Sequence, residues 1–394
     1  MSDVVGIETL TDKAGTGAPD FTNGFNINGS DSGISPHKHT EGATEPSSPS
    51  NGDAWLDTDN NIYKVYIDNE WKDWLGTTPS SVDWKGTRGI SLGGDDGANS
   101  EVRLNTIQYI NISAGSGNST DFGDLTALRE ECPAASSNAR IICAGGKNDS
   151  GTIINNIDYI ASATTGNSTD FGDLESAKKG HSVCGDGTYG IFMGGISTSN
   201  NHGDNKIQRV TIASTGNATD FGDLTENYIR YSSSTNDTTR GVRCAGTTYS
   251  GSSTQFTNVI DYITMANAGN ATDFGDVLQG VYFGQNGVIS NNTIGIFGGG
   301  YKDSNYAEEN VIQKITIQTT GNATDFGDMI NGYGISIGGT TDGTTGVWLG
   351  GKSNQGNATN VISKVTIGTP GNATDFGDML GNIRDNGTAS GAAS

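Results

Sequence analysis

The sequence predicts an all-β fold, a six-bladed β-propeller, and three repeated patterns carry this prediction. The octapeptide GNSTDFGD or GNATDFGD begins at residues 117, 166, 216, 269, 321 and 371, so successive copies lie 49, 50, 53, 52 and 50 residues apart. Each unit also contains an apolar strand that ends in Gly-Gly or a close variant, and a strand of alternating apolar and polar residues. Repeats of about 50 residues are typical of propellers, in which each repeat forms one blade.

Each element of the repeat predicts one strand of a blade. The alternating strand, for example VIQKITI at 311–317, places isoleucine on one face and polar residues on the other. A single sheet of this size cannot bury both faces, whereas six sheets packed face to face around an axis can. The Gly-Gly strands are ISLGG (90–94), IICAGG (141–146), IFMGG (191–195), VRCAGT (242–247), IFGGG (296–300) and VWLGG (347–351).

The chain termini predict how the ring closes. The first Gly-Gly strand has no good equivalent of the strand that precedes the others, and the sixth TDFGD is followed by one further stretch, MLGNIRDNGTASG. We therefore expect residues 379–391 to complete blade one beside residues 86–124, which removes the open edge of the array. The propeller is assigned to residues 86–391.

Composition agrees with many short strands and excludes some partners. The 394 residues include 60 glycines and only 7 prolines, and the formal net charge is −22. A field of this sign repels nucleic acid and anionic membranes. No run approaches the roughly 18 apolar residues of a membrane span, and no signal peptide is visible. The four cysteines lack CxxC spacing, so we expect free thiols and synthesis in a reducing cytoplasm.

The TDFGD motif offers two carboxylates in each of six copies, which raises the question of calcium. Calcium takes six to eight oxygen ligands, usually from a denser loop than this one. Because six identical copies are typical of a packing device, we favour a structural role, with calcium as the alternative and no cofactor expected. The phenylalanines are expected to fill the gaps between neighbouring blades: Phe122, Phe171, Phe221, Phe274, Phe326 and Phe376.

Two resemblances support this interpretation. The segment LESAKKGHSVCGDGTYGIFMGG at 174–195 resembles a kelch repeat, although TDFGD stands where kelch repeats normally have a tryptophan. The near-identical NATDFGD copies resemble kelch-like proteins of marine bacteriophages, cyanophages in particular. The kelch likeness places five basic residues near the axis, where they line an anion-attracting channel or, as we favour, balance local acid: Arg129, Lys178, Lys179, Arg230 and Arg384.

The N-terminal residues differ from the propeller in composition. Residues 1–50 lack periodicity, and we interpret them as an extended anchoring arm and linker held by a partner surface. Residues 51–80 predict a small β-hairpin module that resembles a short module of phage tail and fibre proteins; the alternative is a degenerate seventh blade. His37 and His39 suggest a metal site in a trimer, but a solvated linker is favoured. The module's packing set is Trp55, Tyr63, Tyr66, Trp71 and Trp74.

We find no catalytic motif, so an enzyme is not expected. GxSxG, HExxH and P-loop patterns are absent, as are sialidase boxes and a galactose-oxidase copper set. Recognition is instead expected in the loops that follow the Gly-Gly strands, because they vary while the framework repeats. These loops are 95–104, 147–154, 196–205, 249–257, 301–309 and 352–359. The candidate recognition residues are Asp95, Asp96, Asn148, Asp149, Asn200, His202, Tyr249, Tyr301, Tyr306 and Asn354.

The resemblance implies a virion protein made in the host cytoplasm. We expect its arm to bind other virion proteins, and its propeller to be displayed for binding a glycan or protein of the host surface. A homo-oligomer is expected, without nucleic acid or membrane insertion. Two alternatives remain open: a purely architectural capsid-decoration, tail or collar protein, and a glycan-degrading tailspike.

Overall fold

The structure is a computed structural model that describes residues 39–42, 44–50, 53–57, 62–67, 70–73, 86–97, 102–198, 202–250, 253–283, 289–302, 307–330, 336–352 and 357–391. The chain divides into two compact units, Met1–Ser81 and Val82–Ser394. Strands make up the regular structure of the described residues, apart from one 3-10 turn at Ile112–Ala114. None of these residues belongs to a helix long and apolar enough to span a membrane.

The first unit contains one four-stranded sheet. Its strands are β1 (His39–Gly42), β2 (Ala54–Asp57), β3 (Ile62–Ile67) and β4 (Glu70–Asp73), in that spatial order. The strand β1 is parallel to β2, and the other pairs are antiparallel. The predicted hairpin is therefore present as β2 and β3 within a larger sheet. Residues 41 and 42, which we expected in a linker, belong to β1.

Aromatic contacts stabilise this sheet. Trp55 is 4% exposed, and its indole N–H donates to the Gly42 carbonyl at 3.0 Å. The Trp71 ring lies edge-on to Trp55 at 5.7 Å and to Tyr66 at 5.3 Å, measured between ring centroids. The Tyr63 side chain and Trp74 lie outside the described residues, as do residues 1–38. The predicted arm and the His37 and His39 pair therefore stay predictions.

The second unit is the predicted six-bladed propeller. Each blade is a four-stranded antiparallel sheet, and from the axis outward we name its strands inner, second, third and outer. In chain order the strands are β5 (Arg88–Asp95), β6 (Arg103–Asn111), β7 (Thr120–Asp124), β8 (Arg129–Glu130), β9 (Ala134–Ser136), β10 (Arg140–Ala144), β11 (Lys147–Asn148), β12 (Asn156–Ala161), β13 (Thr169–Asp173), β14 (Lys178–Lys179), β15 (Ser182–Gly185), β16 (Tyr189–Met193), β17 (Ile196–Ser197), β18 (Lys206–Thr211), β19 (Thr219–Asp223), β20 (Ser233–Asn236), β21 (Arg240–Cys244), β22 (Thr247–Ser250), β23 (Ser253–Phe256), β24 (Val259–Thr264), β25 (Thr272–Asp276), β26 (Val281–Tyr282), β27 (Ile289–Ser290), β28 (Ile294–Gly298), β29 (Tyr301–Lys302), β30 (Ala307–Glu308), β31 (Val311–Thr316), β32 (Thr324–Asp328), β33 (Gly338–Thr341), β34 (Thr345–Leu349), β35 (Thr359–Thr366), β36 (Thr374–Ile383) and β37 (Gly387–Gly391). Blades 1 to 6 are β37-β5-β6-β7, β9-β10-β12-β13, β15-β16-β18-β19, β20-β21-β24-β25, β27-β28-β31-β32 and β33-β34-β35-β36.

Apolar side chains fill the gaps between neighbouring blades. The second strands are buried nearly throughout, whereas the third strands combine buried and exposed positions, as in β31, where Ile312, Gln313 and Ile315 are buried and Thr316 is exposed. This pattern leaves six apolar clusters, and each contains residues of two adjacent blades. Each cluster also contains one motif phenylalanine, at most 3% exposed: Phe122, Phe171, Phe221, Phe274, Phe326 and Phe376.

The C-terminal strand closes the ring, as predicted, but of the expected segment 379–391 only residues 387–391 join blade 1, and residues 379–383 extend the outer strand β36 of blade 6. The strand β37 pairs antiparallel with β5, with Thr388 opposite Ser91. The inner strands then contact one another in a complete circle, β37 with β9, β9 with β15, and so on to β33 with β37. The circle is complete with six blades, so the alternative of a seventh is wrong.

Small side chains pack the axis of the ring. The inner strands carry buried glycine, alanine, serine and threonine, and several hydroxyls join neighbouring blades. Ser234 donates to the Val183 carbonyl, and Thr388 donates to the Gly339 carbonyl at 2.8 Å. A cavity of about 10 Å³ lies between the inner strands of blades 1, 2 and 3, which is room for about one water molecule. Over the described residues, the axis is therefore packed rather than open as a channel.

The repeated motif joins each blade to the next at the outer rim. Asn167 of blade 2 accepts a hydrogen bond from the backbone N–H of Asp124 in blade 1 at 3.0 Å. A side chain on Gly123, whose φ is +150°, would overlap the backbone of Gly166. The same asparagine bond recurs at every junction, including the seam between blades 6 and 1: Asn167–Asp124, Asn217–Asp173, Asn270–Asp223, Asn322–Asp276, Asn372–Asp328 and Asn118–Asp378.

Candidate recognition face

One face of the ring is built from the loops that follow the second strands. We call it the loop face. At five of the six junctions, those that the structure describes, the chain after an outer strand pairs there with the loop of the next blade's second strand, as in β8 with β11 and β14 with β17. The Gly-Gly pairs allow the two chain segments to approach each other closely. Gly93, for example, has a φ of +57°, and a Cβ there would lie 2.6 Å from the Arg129 carbonyl oxygen. The loops therefore form a second layer fastened to the blades.

The basic residues of this layer form ion pairs with nearby acids. Arg129 contacts Asp158 at 2.7 Å, and both side chains are 1% exposed. Burying one partner alone would be strongly unfavourable, so each pair fixes the relative position of two chain segments. Of the five basic residues singled out in the sequence, four pair with a carboxylate, as the favoured interpretation expected: Arg129–Asp158, Lys178–Asp204, Lys179–Glu131 and Arg384–Asp95.

Residues in left-handed conformation surround the axis on the loop face. Glu131, Gly180, Tyr231, Ser336 and Asp385 have φ between +53° and +62° and precede the inner strands. Backbone hydrogen bonds link them around the axis: Glu131 N–H to the Asp385 carbonyl, Asp385 to Ser336, and Tyr231 to Gly180, at 2.7–2.9 Å. We call this arrangement the axial ring. It brings side chains of different chemistry together around the axis on the loop face.

Two carboxyl groups of the axial ring, those of Glu131 and Asp385, are close enough to influence each other's charge. Lys179 Nζ lies 3.1 Å from Glu131 Oε1 and 3.3 Å from the Tyr231 hydroxyl. The other Glu131 oxygen is buried without a hydrogen-bond partner. Burial and the neighbouring Glu131 raise the pKa of Asp385 to about 7, and burial also raises the pKa of Glu131. The pair therefore carries less than two full negative charges near neutral pH.

Aromatic rings continue from the axial ring across blades 4 to 6. Tyr231 lies 4.6 Å from Tyr282, and Tyr282 lies 6.0 Å from Tyr301, between ring centroids. Lys352 Nζ contacts the Tyr301 hydroxyl at 3.3 Å. The Tyr231 ring packs over Gly180, where a Cβ would lie 2.8 Å from the ring carbon Cε1 of Tyr231. These rings are half-buried and form part of the face's support.

A second aromatic group lies where blades 3 and 4 meet. The rings of His202 and Tyr249 are stacked, with centroids 3.9 Å apart and planes 14° apart. Arg230 lies 5.7 Å from the Tyr249 ring and donates to Thr254 Oγ1 at 2.9 Å. Tyr228, on the same chain segment as Arg230, is 42% exposed. We call His202, Tyr228, Arg230 and Tyr249 the aromatic patch.

The other candidate recognition residues have varied environments. Asp95 is fully buried, and its carboxylate accepts hydrogen bonds from the Gly97 N–H at 2.7 Å and from Arg384 at 3.0 Å. Asn148 shapes its own turn by accepting from the Thr152 N–H at 2.9 Å. Asp149 is exposed. Three candidates lie outside the described residues: Asn200, Tyr306 and Asn354.

An open groove of about 570 Å³ lies where blades 6 and 1 meet. Asp96 lines one wall, and its carboxylate accepts from the Val102 N–H at 3.3 Å. Leu380, on the other side, is 60% exposed. The groove is open to solvent, and its lining combines the apolar Leu104, Ala358 and Leu380 with the polar Thr106, Gln108, Asn357 and Asn382.

One buried histidine stands apart from these groups. His181 is fully buried, neither ring nitrogen has a hydrogen-bond partner, and its ring lies edge-on to Phe192 at 5.8 Å. Burial lowers its pKa to about 3. Because the side chain has no route to solvent, we assign it to packing between blades and not to ligand binding.

Metal-ligand chemistry is sparse on the part of the chain that the structure describes. No group of three or more His, Cys, Asp or Glu side chains there is arranged to hold a metal ion. In each TDFGD copy the first aspartate is exposed, and the second is half-exposed in five copies and exposed in the sixth, at Asp378. The four cysteines are buried and unpaired.

The fold and the loop face together define the class of protein: a six-bladed β-propeller with one face that differs from blade to blade. No family model matches the chain, and no curated protein matches it either. The chain is therefore classified by its fold.

Sequence reasoning missed several residues of the loop face. The sequence did not single out Tyr228, Glu131, Tyr282 and Asp385. They lie in the segments that precede the inner strands, whereas recognition was expected in the loops that follow the second strands. A length difference was available as a signal. Tyr231 follows the last aspartate of its motif, Asp223, by eight positions, as Ser336 follows Asp328, whereas Glu131 follows Asp124 by seven.

Proposed function

We propose that this protein is a phage virion component whose propeller displays the loop face for binding to the host surface. One observation carries the proposal: the departures from the repeat are concentrated on the loop face. Six identical asparagine bonds and six equivalent phenylalanines build the framework. The junctions on the loop face instead use different partners, such as Arg129 with Asp158 in one and Arg230 with Thr254 in another.

A rigid scaffold with variable loops on one side is a common arrangement for recognition. The packed axis and the fastened loop layer support binding without large rearrangement, which lowers the entropy cost of association. The resemblance to kelch-like proteins of marine phages supplies the virion setting. Within this proposal, residues 1–50 attach the protein to the particle.

The test is binding of the fluorescently labelled full chain to cells of marine cyanobacteria, measured by flow cytometry. We expect saturable binding to some strains and not to others, and competition by unlabelled protein. Absence of binding to a broad strain panel, together with labelling of purified particles by an antibody against the chain, would instead establish an architectural role.

The Glu131 and Asp385 pair gives the glycan-degrading alternative its single supporting observation, since adjoining carboxyls with raised pKa values suit acid–base chemistry. Release of reducing ends from host polysaccharide would favour it. Loss of that release in both Glu131→Gln and Asp385→Asn would assign the activity to the pair.

A further inference from the structure

The aromatic patch includes one of the longer segments between an outer strand and the next inner strand. Eight positions separate Asp223 from Tyr231, as they separate Asp328 from Ser336, whereas seven separate Asp124 from Glu131, Asp173 from Gly180 and Asp378 from Asp385. Tyr228 lies in this longer segment with a φ of +62°, a conformation that a tyrosine rarely adopts. Strained residues of this kind persist where the surroundings hold them, and they concentrate at functional sites.

The surroundings hold the patch in place from several sides. The Gly203 position packs on the Tyr228 backbone, where a Cβ would lie 3.0 Å from the carbonyl oxygen. Thr248 Oγ1 donates to the Asn227 carbonyl at 2.7 Å, and Arg230 exchanges two backbone hydrogen bonds with Thr247. The rings are therefore positioned by the fold before any ligand arrives, which lowers the entropy cost of binding.

The chemistry of the patch fits a sugar ring. A pyranose has an apolar C–H face that packs on an aromatic ring and hydroxyls that point outward from its edge, where they need hydrogen-bond partners. Tyr228 is the exposed ring, at 42%. His202 is exposed and directly precedes Gly203, which packs on the Tyr228 backbone, and Arg230 follows Tyr228 by two residues; both side chains carry N–H donors. A protein partner usually buries about 800 Å² on each side, much more than four side chains offer.

We propose that the aromatic patch binds a pyranose unit of a host surface polysaccharide, with Tyr228 as the stacking ring and His202 and Arg230 as donors. This inference rests on the proposed function and names its ligand class and its site.

The test uses the full chain and two matched variants. Tyr228→Ala removes the stacking ring, and Leu128→Ala is the control, because Leu128 is a 37% exposed apolar residue in the corresponding segment after blade 1. Binding is measured on an array of defined pyranose oligosaccharides and on bound cells. The cells are used untreated, after periodate oxidation of their sugars, and after protease digestion. Thermal melting of both variants verifies the fold.

We expect at least a tenfold loss of binding for Tyr228→Ala, none for Leu128→Ala, and loss on periodate-treated but not protease-treated cells. Wild-type binding by Tyr228→Ala would overturn the inference while leaving the proposed function standing, as would loss of binding only after protease. Binding to neither array nor cells would overturn both. Saturable, Tyr228-dependent binding to the array alone would support the sugar site and contradict display to these cells.

Discussion

Burying a histidine whose two nitrogens have no partner costs free energy, and blade 3 contains such a residue. His181 occupies the position directly after the left-handed residue of the axial ring. The corresponding residue of blade 6 is Ile337, which is also fully buried. The fold therefore accepts an apolar side chain at this position, and packing between the blades does not require the polar ring nitrogens.

We predict that His181→Ile raises the free energy of unfolding by about 1–3 kcal/mol at pH 7, because the unpartnered polar atoms are removed. The histidine's pKa is about 3 when folded and about 6.5 when unfolded. The unfolded state therefore binds the proton first, and wild-type stability falls as the pH drops from 6.5 towards 3. At pH 5 the advantage of the variant should grow by roughly 2 kcal/mol.

Chemical denaturation at pH 7 and pH 5 measures both effects. His202→Gln is the matched control, since His202 is exposed and its replacement should not reproduce the pH-dependent gain. A variant less stable than the wild type at both pH values would show that His181 contributes a favourable contact.

A cation–aromatic pair shows how one contact is encoded in two ways. In blade 2, Arg140 of the second strand packs 4.7 Å from Tyr159 of the third. In blade 3 the residue types are exchanged, and Arg209 of the third strand packs 4.4 Å from Tyr189 of the second. Both arginines also donate to carbonyls of the next blade. Because neighbouring strands bring the two positions together, the pair survives the exchange.

At the scale of the element, the outer strand with its GNxTDFGD motif combines burial and hydrogen bonding. The phenylalanine packs between blades, and the asparagine accepts a backbone N–H from the preceding blade. The exposed aspartates on this edge strand disfavour pairing with the strands of other molecules.

We predict that Asn118→Ala lowers the free energy of unfolding by about 1 kcal/mol, since it removes the bond to the Asp378 N–H at the seam. Asn217→Ala, which removes the same bond inside the ring, should cost a similar amount. Asn138→Ala is the control, because Asn138 is exposed and its side chain makes no hydrogen bond. Urea denaturation compares the three; equal stability of all three would show that the bond contributes nothing.

The strands were predictable because their patterns recur six times, and packing of identical sheets leaves few alternatives. The repetition of the motif predicted its packing role, but it did not predict that the motif asparagine bonds to the neighbouring blade. A repeated sequence cannot tell whether Asn167 bonds within its own copy or to Asp124 of the copy before. The loop face was the least predictable, since Glu131 and Asp385 meet only after the ring closes.

At the scale of the whole molecule, stability depends on a noncovalent seam. Blade 1 takes three strands from the start of the propeller and its inner strand, β37, from the end. The residues of β37 are buried, and they contact the inner strands of both neighbouring blades.

We predict that deletion of residues 387–394 abolishes the cooperative unfolding transition and causes association, because it exposes β5 and the small-residue axis. Deletion of residues 392–394 alone is the control and should behave as the wild type. Calorimetry and light scattering distinguish the outcomes. An unchanged melting temperature for the longer deletion would show that the ring holds without its closing strand.

The position of β37 also sets an order of events during synthesis. Roughly 290 residues separate the end of β5 from the start of β37, which at about 5–20 residues per second is roughly 15 to 60 s of translation. For that interval blade 1 lacks its inner strand, while the strands of blades 2 to 6 emerge in turn. The nascent chain therefore exists as an open arc with an unprotected edge, and the ring closes only when β37 leaves the ribosome.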